Sequence, residues 1–431
     1  MATDKHTYTS VVCPFCGCLC DDLRVSVRDG RVVEILNGCA LANSRFRQVS
    51  RHRLTRPVIR GGGEKEVSYD EAIDEAVRIL TASDHPLLYG WANTTCEAQR
   101  LGIRIAEILG GAIDDTSSVC HGPTTIAVQG VGYVSATLGE VKNRADVVVY
   151  WGCNPFHAHP RHMSRYSVFP RGFFRSGRGD RKLVVVDPRR THTARIADLH
   201  IQPKVGCDLE ILNALRVLIK GEKLREKSVG GVALEELHRL ADLMTGAEFG
   251  AVFFGLGLTM SSGKHRNVEA LLQLVRDLNS KAKWVVGAMR GHYNVAGFNE
   301  VCAWETGYPF SVDFSRGYPR YNPGETSAVD LIMNEEVDSI LVVSSDPISH
   351  LPSEAVSKAL KMPIVAIDPF STPTTDAAKV VIPTSVAGVE VGGTAYRMDG
   401  VPVQLRPVLS PPPGMLSDEQ VLDMMLERLV Q

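Results

Sequence analysis

The feature that most constrains the fold of this chain is an internal repeat. Each copy has a strand ending in Asn-Pro or Asp-Pro, a second strand ending in Asp-Pro, a Thr-x-Thr pair, and a third strand that ends before a proline. The copies run through Asn154, Asp187, Thr191 and Pro203, and through Asp346, Asp368, Thr372 and Pro383. Such side chains at the carboxyl ends of strands hold the ribose and base of nucleotides in open α/β sheets. Although Asp-Pro can also simply end a strand, two copies in the same order predict two related nucleotide-binding domains.

Length and composition place the chain among ordinary globular proteins. Its 431 residues are enough for two or three domains with a substantial core. A net charge of -2 argues against a general nucleic-acid binder. The chain has no apolar run as long as a membrane span and no apolar signal region in its first ten residues. We therefore expect a cytoplasmic protein that binds neither membranes nor nucleic acid.

The ten cysteines are unevenly distributed, and half of them lie in the first forty residues. Cys13, Cys16 and Cys20 have the spacing C-x2-C-x3-C, and Cys39 supplies a fourth thiolate. Four thiolates can bind zinc or an iron–sulfur cluster, but the second C-x2-C pair typical of zinc ribbons is absent. The spacing therefore favours a [4Fe-4S] cluster, with Cys18 as a non-ligand. An Asp29-Gly30 turn predicts a hairpin between Cys20 and Cys39.

A second cysteine, Cys120, lies in the loop Cys120-His121-Gly122-Pro123. A cysteine in such a stretch is often a small buried apolar residue. As a thiolate, however, it would be a soft metal ligand or a nucleophile, and His121 could relay a proton beside it.

Two further segments at strand ends carry weaker signals. The residues Gly255-Leu256-Gly257 follow an apolar strand, where a phosphate contact is common. Arg290 follows another strand and could clamp a carboxylate with its planar guanidinium, although most exposed arginines are only surface residues. Ser68 and Ser417 are expected to cap helices that end near residues 80 and 430.

Taken together, these stretches resemble the B subunits of formylmethanofuran dehydrogenases. Those subunits are the catalytic chains of tungsten or molybdenum enzymes in the bis-pyranopterin superfamily of DMSO reductase and formate dehydrogenase. The resemblance runs nearly end to end and includes Cys13-Pro-Phe-Cys16, Tyr89-Gly-Trp91, Ser118-Val-Cys-His-Gly-Pro123, Tyr150-Trp-Gly-Cys-Asn-Pro155, His157-Ala-His-Pro-Arg-His162, Met289-Arg-Gly-His-Tyr-Asn294 and Arg320-Tyr-Asn-Pro-Gly-Glu325.

The resemblance implies a role for each matching residue. Cys120 would bind tungsten or molybdenum, and His121 and Arg290 would lie beside the metal. The two pterin guanine dinucleotides (bis-MGD) would be held by segments that contain Asn154, Asp187, Thr191, Asp208, Gly257, His292, Asp346 and Asp368. The lysine that often lies between cluster and pterin in this superfamily is absent, and Arg45 is the nearest basic candidate.

The resemblance also implies how the chain is divided. We expect an α/β protein with two Rossmann-like domains and a small β-rich iron–sulfur domain, without the C-terminal β-barrel of the superfamily. The predicted iron–sulfur domain comprises residues 1–68 with about 385–410, the pterin domains comprise 69–118 with about 295–384 and 119–294, and a linker with a helix occupies 411–431.

The activity implied is the reversible two-electron reduction of CO2 to formate. An amidohydrolase-like partner chain would then condense formate with methanofuran. A barrel-domain partner would complete the pterin site, and polyferredoxin or other iron–sulfur subunits would deliver electrons. Two alternatives stay open: a stand-alone formate dehydrogenase chain, and a redox-inactive scaffold subunit of a formyltransferase/hydrolase complex.

Overall fold

The computed structural model describes residues 5–431, so the first four residues of the predicted iron–sulfur domain lie outside the described part. Strands β1 to β21 are, in chain order, His6–Val11, Leu23–Arg28, Arg31–Leu36, Val58–Arg60, Glu64–Glu66, Pro86–Gly90, Ala112–Asp115, Val147–Trp151, Lys182–Val186, Leu199–Ile201, Ser228–Val229, Val232–Ala233, Phe249–Phe254, Lys283–Ala288, Val312–Asp313, Arg320–Tyr321, Ser339–Val343, Ile364–Ile367, Val380–Ile382, Gly393–Tyr396 and Pro402–Leu405.

The α-helices alternate with these strands through most of the chain. Helices α1 to α16 are, in chain order, Ala40–Arg47, Tyr69–Thr81, Cys96–Leu109, Gly122–Val131, Leu138–Arg144, Pro155–Ala158, Asp208–Ile219, Leu234–Thr245, Leu256–Thr259, His265–Leu278, Val295–Thr306, Ala328–Met333, Pro347–His350, Ser353–Ala359, Pro373–Ala377 and Asp418–Leu429. The predicted mixed α/β class is confirmed.

The chain forms two compact units. Unit 1 comprises Met1–Ser118, His292–Arg397 and Pro402–Gln431, and unit 2 comprises Val119–Gly291 and Met398–Val401. Unit 2 is thus an almost continuous segment that interrupts unit 1. The finer division into domains that the sequence suggests stays a prediction.

Unit 2 is built on a five-stranded sheet with the order β10-β9-β8-β13-β14, in which every pair is parallel. Its strands are buried apolar runs, as expected for a parallel sheet covered by helices on both faces. The core packs Trp151, Val184, Leu215 and Leu271 together. The strand order reverses between β8 and β13, and at such a point the loops after the strands diverge and leave a crevice.

Unit 1 contains a nine-stranded sheet with the order β16-β15-β7-β6-β17-β18-β19-β4-β5. The five central strands, from β7 to β19, are parallel, and antiparallel pairs extend both edges. The parallel strands of the two units correspond one to one. Strands β17, β18 and β19 take the places of β8, β9 and β10, and β6 and β7 take the places of β13 and β14. The repeat is therefore circularly permuted, because the last two strands of the copy in unit 1 come first in the chain.

Matching backbone hydrogen bonds follow the first strand of each copy. In unit 2, the Gly152 N–H donates to the Val186 carbonyl at 2.9 Å; in unit 1, the Ser344 N–H donates to the Ile367 carbonyl at 2.8 Å. These bonds hold the loop after one strand against the end of its neighbour. Each copy therefore shapes the carboxyl edge of its sheet in the same way.

A small antiparallel sheet of β1, β2 and β3 precedes the large sheet of unit 1. The predicted hairpin is confirmed, with Asp29 and Gly30 at φ 51° and 69° in its turn. Both predicted serine caps are also confirmed, since Ser68 and Ser417 each form a capping box with the side chain three residues later. These were local signals, in which the capping side chain and its partner are close in sequence.

Two short segments have irregular local structure. The alternating stretch 388–403 forms a hairpin only from Gly393 onward, because residues 388–392 turn tightly through bonds to the Val386 carbonyl. The residues after β13 form a separate short helix, α9, before α10 begins at His265. Among the described residues, no helix is both long and apolar enough to cross a membrane.

Candidate functional site

Unit 2 has a cavity of about 510 Å³ at the carboxyl edge of its sheet, around the point where the strand order reverses. A cavity of this volume is in the usual range for small-molecule and cofactor sites. Five residues expected at the site line it: Cys120, Asn154, Asp187, Asp208 and Gly257. The structure therefore brings these five residues to one cavity, and their role in binding stays a prediction.

Glycines bring two loops of this cavity together. Gly152 has φ 56°, and a Cβ there would lie 2.7 Å from the backbone nitrogen of Leu258. The Gly257 N–H donates to the Gly152 carbonyl at 2.9 Å. Only glycine permits this approach without strain, so the loops after β8 and β13 can form one continuous backbone wall.

Two polar pairs fix side chains at the cavity wall. The Thr193 hydroxyl donates to Asn154 Oδ1 at 2.6 Å, which orients the amide at the end of β8. The indole of Trp151 donates to Asp208 Oδ1 at 2.8 Å. Burial raises the pKa of Asp208 although this bond acts in the opposite direction. Both pairs preorganise polar atoms before a ligand arrives.

Thr191 is the one residue expected in this cavity whose hydroxyl has a structural partner instead. Its Oγ1 accepts a hydrogen bond from the backbone of Ala194, and Thr191 is not among the lining residues. It shapes the loop after Asp187, whose carboxylate accepts from the Arg189 N–H at 2.8 Å.

Cys120, His121 and Arg290 belong to unit 2 as well. Cys120 is half-buried, and its carbonyl accepts a hydrogen bond from the Thr259 hydroxyl at 2.8 Å. His121 is fully buried. Its Nε2 donates to the carbonyl of Met289 at 3.2 Å, because a carbonyl can only accept, and its Nδ1 then accepts from the Thr124 hydroxyl at 3.0 Å.

Electrostatics at His121 keep its imidazole neutral. Burial, followed by the positive charge of Arg290, lowers the pKa of His121 to about 3. Arg290 itself is half-buried and is flanked by Met289 and Gly291, both of which line the cavity. A neutral imidazole and a cationic guanidinium therefore lie close together next to Met289, which lines the cavity although His121 and Arg290 do not.

The sequence did not single out His159, which is buried in unit 2 and also lines the cavity. Its Nε2 donates to the Arg290 carbonyl at 2.7 Å. His159 is part of the motif His157-Ala-His-Pro-Arg-His162. Nothing local distinguishes it from His157 and His162, since burial beside Arg290 is a long-range property.

Unit 1 has an equivalent cavity of about 410 Å³ at the carboxyl edge of its own sheet. Asp346, Asp368 and His292, all expected to bind a cofactor, line it together. The Thr374 hydroxyl donates to Asp346 Oδ1 at 2.6 Å, which is the counterpart of the Thr193–Asn154 bond in unit 2. Burial raises the pKa of Asp368 to about 8.

The four predicted cluster cysteines lie in unit 1, on the loop between β1 and β2 and at the start of α1. None of the four forms a disulfide; Cys13, Cys16 and Cys20 are buried and Cys39 is half-buried. Burial, followed by the neighbouring Cys16 and Cys20, raises the pKa of Cys13, with a further contribution from Cys39. The four sulfurs therefore influence one another.

Arg45 connects this loop to the cavity of unit 1. It lines the cavity, and its guanidinium is 5.9 Å from the centre of the Phe15 ring. A hydrogen bond with the Cys18 side chain, and then the charge of Arg45, lower the pKa of Cys16.

No group of three or more His, Cys, Asp or Glu residues within 5–431 is arranged to hold a single metal ion.

Comparison with known proteins finds a matching family model and relatives that match over nearly the whole chain. A family model described as Molybdopterin oxidoreductase matches residues 53–427. The B subunit of tungsten-containing formylmethanofuran dehydrogenase 2 from Methanocaldococcus jannaschii is 52% identical over 97% of this chain and 98% of that protein. The protein of the same name from Methanococcus maripaludis is 48% identical over 98% of this chain and 99% of its own length.

Two solved structures share the fold at lower identity. The formyltransferase/hydrolase complex of Methylorubrum extorquens with methylofuran contains a chain with a TM-score of 0.71 and 23% identity, covering 87% of this chain and 98% of that one. Acetylene hydratase from Pelobacter acetylenicus has a TM-score of 0.74 and 16% identity, covering 98% of this chain and 69% of that one.

The chain belongs to the molybdopterin oxidoreductase family, and it is an oxidoreductase. Within that class, its full-length identity to two such proteins makes it a member of the formylmethanofuran dehydrogenase B subunits.

Proposed function

We propose that this chain is the catalytic component of a formylmethanofuran dehydrogenase, which reduces CO2 reversibly to formate with two electrons and one proton. The observation that carries the proposal is that Cys120 lines the cavity of unit 2 beside Met289 and Gly291, the residues on either side of Arg290. A soft ligand and a cation for a carboxylate are thus available in one place. The full-length relatives support the same activity.

The two cavities support a cofactor with two pterin dinucleotides. Each lies at the carboxyl edge of a parallel sheet, where nucleotides bind in this class of fold, and their volumes are about 510 and 410 Å³. The Gly152–Gly257 contact holds the loops after β8 and β13 together at the wall of the unit 2 cavity, since a Cβ at either position would meet backbone atoms. Asn154, Asp187 and Asp208 would hold one dinucleotide, and Asp346, Asp368 and His292 the other.

The thiols of unit 1 support a [4Fe-4S] cluster rather than a single ion. A cubane distributes its four thiolates over four iron atoms, so the ligands need not converge on one point as zinc ligands must. Cys13, Cys16, Cys20 and Cys39 form no disulfides, and the other three contribute to raising the pKa of Cys13, which fits such a cluster. Arg45 lies where a charged side chain could link the cluster to the cavity of unit 1.

The residues of unit 2 would each make a distinct contribution to the reaction. Tungsten or molybdenum, bound by pterin dithiolenes and the Cys120 thiolate, would supply two-electron chemistry. Arg290 would hold the carboxylate of formate with its planar fork and stabilise charge developing on CO2. His121, kept neutral by burial, would orient the substrate without adding a second cation.

The proposal includes partner chains. Two full-length relatives are themselves B subunits of a larger enzyme, and one solved neighbour is part of a formyltransferase/hydrolase complex with methylofuran. We propose an amidohydrolase-like partner that receives formate, iron–sulfur subunits that deliver electrons, and a barrel-domain partner that completes the pterin site.

Elemental analysis of this chain, separated anaerobically from its partners, and formate oxidation by the complex test the proposal. We expect about one tungsten or molybdenum and about four iron per chain, together with formate oxidation by an artificial electron acceptor. If the chain held neither tungsten nor molybdenum, the proposal would be overturned and the scaffold alternative favoured. Formate oxidation without any transfer of formate to methanofuran would favour the stand-alone formate dehydrogenase.

A further inference from the structure

His159 has one nitrogen that the described residues leave without a hydrogen-bond partner. The side chain is 3% exposed and lines the cavity of unit 2, yet its Nδ1 is buried and unpaired among residues 5–431. An unpaired buried polar atom is costly, and such atoms in native proteins commonly await water, an ion or a ligand. We therefore expect the partner of Nδ1 to be a molecule bound in the cavity.

The bond made by the other nitrogen settles what Nδ1 can do. Because the Arg290 carbonyl can only accept, the Nε2 of His159 must carry a proton. Burial lowers the pKa of His159, so the ring stays neutral and Nδ1 is a bare acceptor. A hydrogen-bond partner of Nδ1 therefore has to be an N–H or O–H donor, not an anion or a carbonyl oxygen.

His121 provides an internal comparison. The two imidazoles bond the carbonyls of consecutive residues, His121 that of Met289 and His159 that of Arg290. The second nitrogen of His121 is satisfied by Thr124. Of these two histidines, His159 alone therefore combines a hold on the backbone of Arg290 with an unpaired acceptor in a side chain that lines the cavity.

We propose that His159 is a positioning residue that couples the cavity ligand to Arg290, accepting a hydrogen bond from the ligand at Nδ1 while its Nε2–H holds the Arg290 carbonyl. This inference rests on the proposed function, in which the ligand is a pterin, a ring system rich in amino and ring N–H donors. A bound pterin would fix the imidazole, and the imidazole would fix the backbone that aims the guanidinium at formate.

Two substitutions separate the two bonds. Glutamine at position 159 can donate an amide N–H near the place of Nε2 but offers no acceptor at the place of Nδ1. Asparagine places its side-chain oxygen near Nδ1 but is too short to reach the carbonyl of Arg290. H159Q should therefore lose the ligand contact, and H159N the hold on Arg290.

The experiment compares the wild-type complex with H159Q, H159N and H159F. Pterin per chain is measured by fluorescence after denaturation and oxidation, and KM for formate is measured with an artificial acceptor. In H159Q we expect the retained pterin to fall from about two toward about one per chain, because unit 1 keeps its own dinucleotide, with KM nearly unchanged. In H159N we expect pterin to be retained and KM to rise roughly tenfold, the usual scale for outer-shell contacts. H159F should show both losses.

A matched control is H85Q in unit 1, where His85 Nδ1 donates to the Glu336 carbonyl at 2.7 Å outside both cavities. It should lower the melting temperature only. If the His159 variants likewise lost stability but kept wild-type pterin content and KM, His159 would be merely structural and the inference overturned. Failure of the proposed function is a different result, since the wild-type complex would then lack metal and formate oxidation.

Discussion

The hydroxyl of Thr374 donates to Oδ1 of Asp346 at 2.6 Å, directly after the first strand of one copy of the repeat. In the other copy, Thr193 donates to Asn154 Oδ1 at the same distance. A threonine thus orients the acceptor at the end of the strand in both units. The repeat is therefore preserved in the contacts that prepare each cavity for a ligand.

This pair of bonds can be tested with T193V and T374V, which keep the side-chain shape and remove the hydroxyl. Each variant should lose about 1 kcal/mol of stability for one hydrogen bond. Each should also weaken the hold on one dinucleotide, so that pterin content falls from about two toward about one per chain. Urea unfolding and pterin fluorescence measure the two effects. Loss of both pterins, or of neither, would contradict independent cavities.

C120A should abolish interconversion of CO2 and formate, by at least roughly 100-fold in rate, because the thiolate that binds the metal is gone. The iron–sulfur signal should be unchanged, since its ligands lie in unit 1. The matched control is C207A, another half-buried thiol of unit 2 that does not line the cavity. Normal formate oxidation by C120A would disprove the metal-ligand assignment.

R290K should weaken the binding of formate. Lysine keeps the charge but cannot form two parallel hydrogen bonds to a carboxylate, so KM should rise roughly tenfold, equivalent to about 1.4 kcal/mol of binding. R239K, on the exposed face of α8, serves as the control. Steady-state kinetics with an artificial acceptor measure KM and kcat. If both were unchanged in R290K, Arg290 would not belong to the site.

C39A should remove the cluster, whereas C18A should keep it, because Cys18 is the cysteine outside the predicted ligand set. Iron analysis is expected to give about four iron per chain in C18A and well below that in C39A. A wild-type iron content in C39A would remove Cys39 from the ligand set. If C18A lost its iron and C39A kept it, Cys18 would be the fourth ligand and Cys39 the cysteine outside the ligand set.

The ion pair of His85 and Asp313 predicts a pH dependence of stability. Its hydrogen bond to Asp313 raises the pKa of His85 although burial opposes this, so the charged ring stabilises the fold below the unfolded pKa. That contribution is lost as pH rises through the folded pKa. H85Q should therefore cost about 1 kcal/mol near pH 5.5 and less near pH 8, around the ordinary histidine pKa of about 6.5.

Urea unfolding of wild type and H85Q across this range measures the difference. The carboxylate of Asp313 also accepts a hydrogen bond from Arg320 at 2.9 Å. Burial alone would raise the pKa of Asp313, but the hydrogen bonds from His85, Ser315 and Arg320 outweigh it and lower that pKa. Asp313 therefore stays ionised over the whole range. A stability difference that grew toward alkaline pH would have the wrong sign for this pair.

The sequence predicted what depends on neighbours along the chain. The Asp29-Gly30 hairpin, the serine caps and the strand-end residues Asp187 and Asp368 are each defined by adjacent residues, and the structure has the hairpin and both caps where they were expected. The strand ends line the two cavities. Local patterns were sufficient because turn and cap chemistry is satisfied within a few residues.

Long-range relationships were not predictable in this way. The permuted strand order of unit 1 depends on the pairing of β6 with β17, which are separated by residues Val119–Gly291 of unit 2. The role of His159 depends on its bond to Arg290, 131 residues later in the chain. Neither contact leaves a pattern in a single sequence, because its partners are brought together only by the completed sheet.

The permutation has a consequence for how the polypeptide folds during synthesis. Strands β6 and β7 leave the ribosome early, yet β17, which pairs with β6, is made only after residues Val119–Gly291 of unit 2. Because domains fold as units while the chain emerges, the interrupting segment completes its own sheet first. The apolar strand β6 meanwhile has no central neighbour, and its exposed edge makes the nascent protein prone to aggregate and open to a chaperone during this interval.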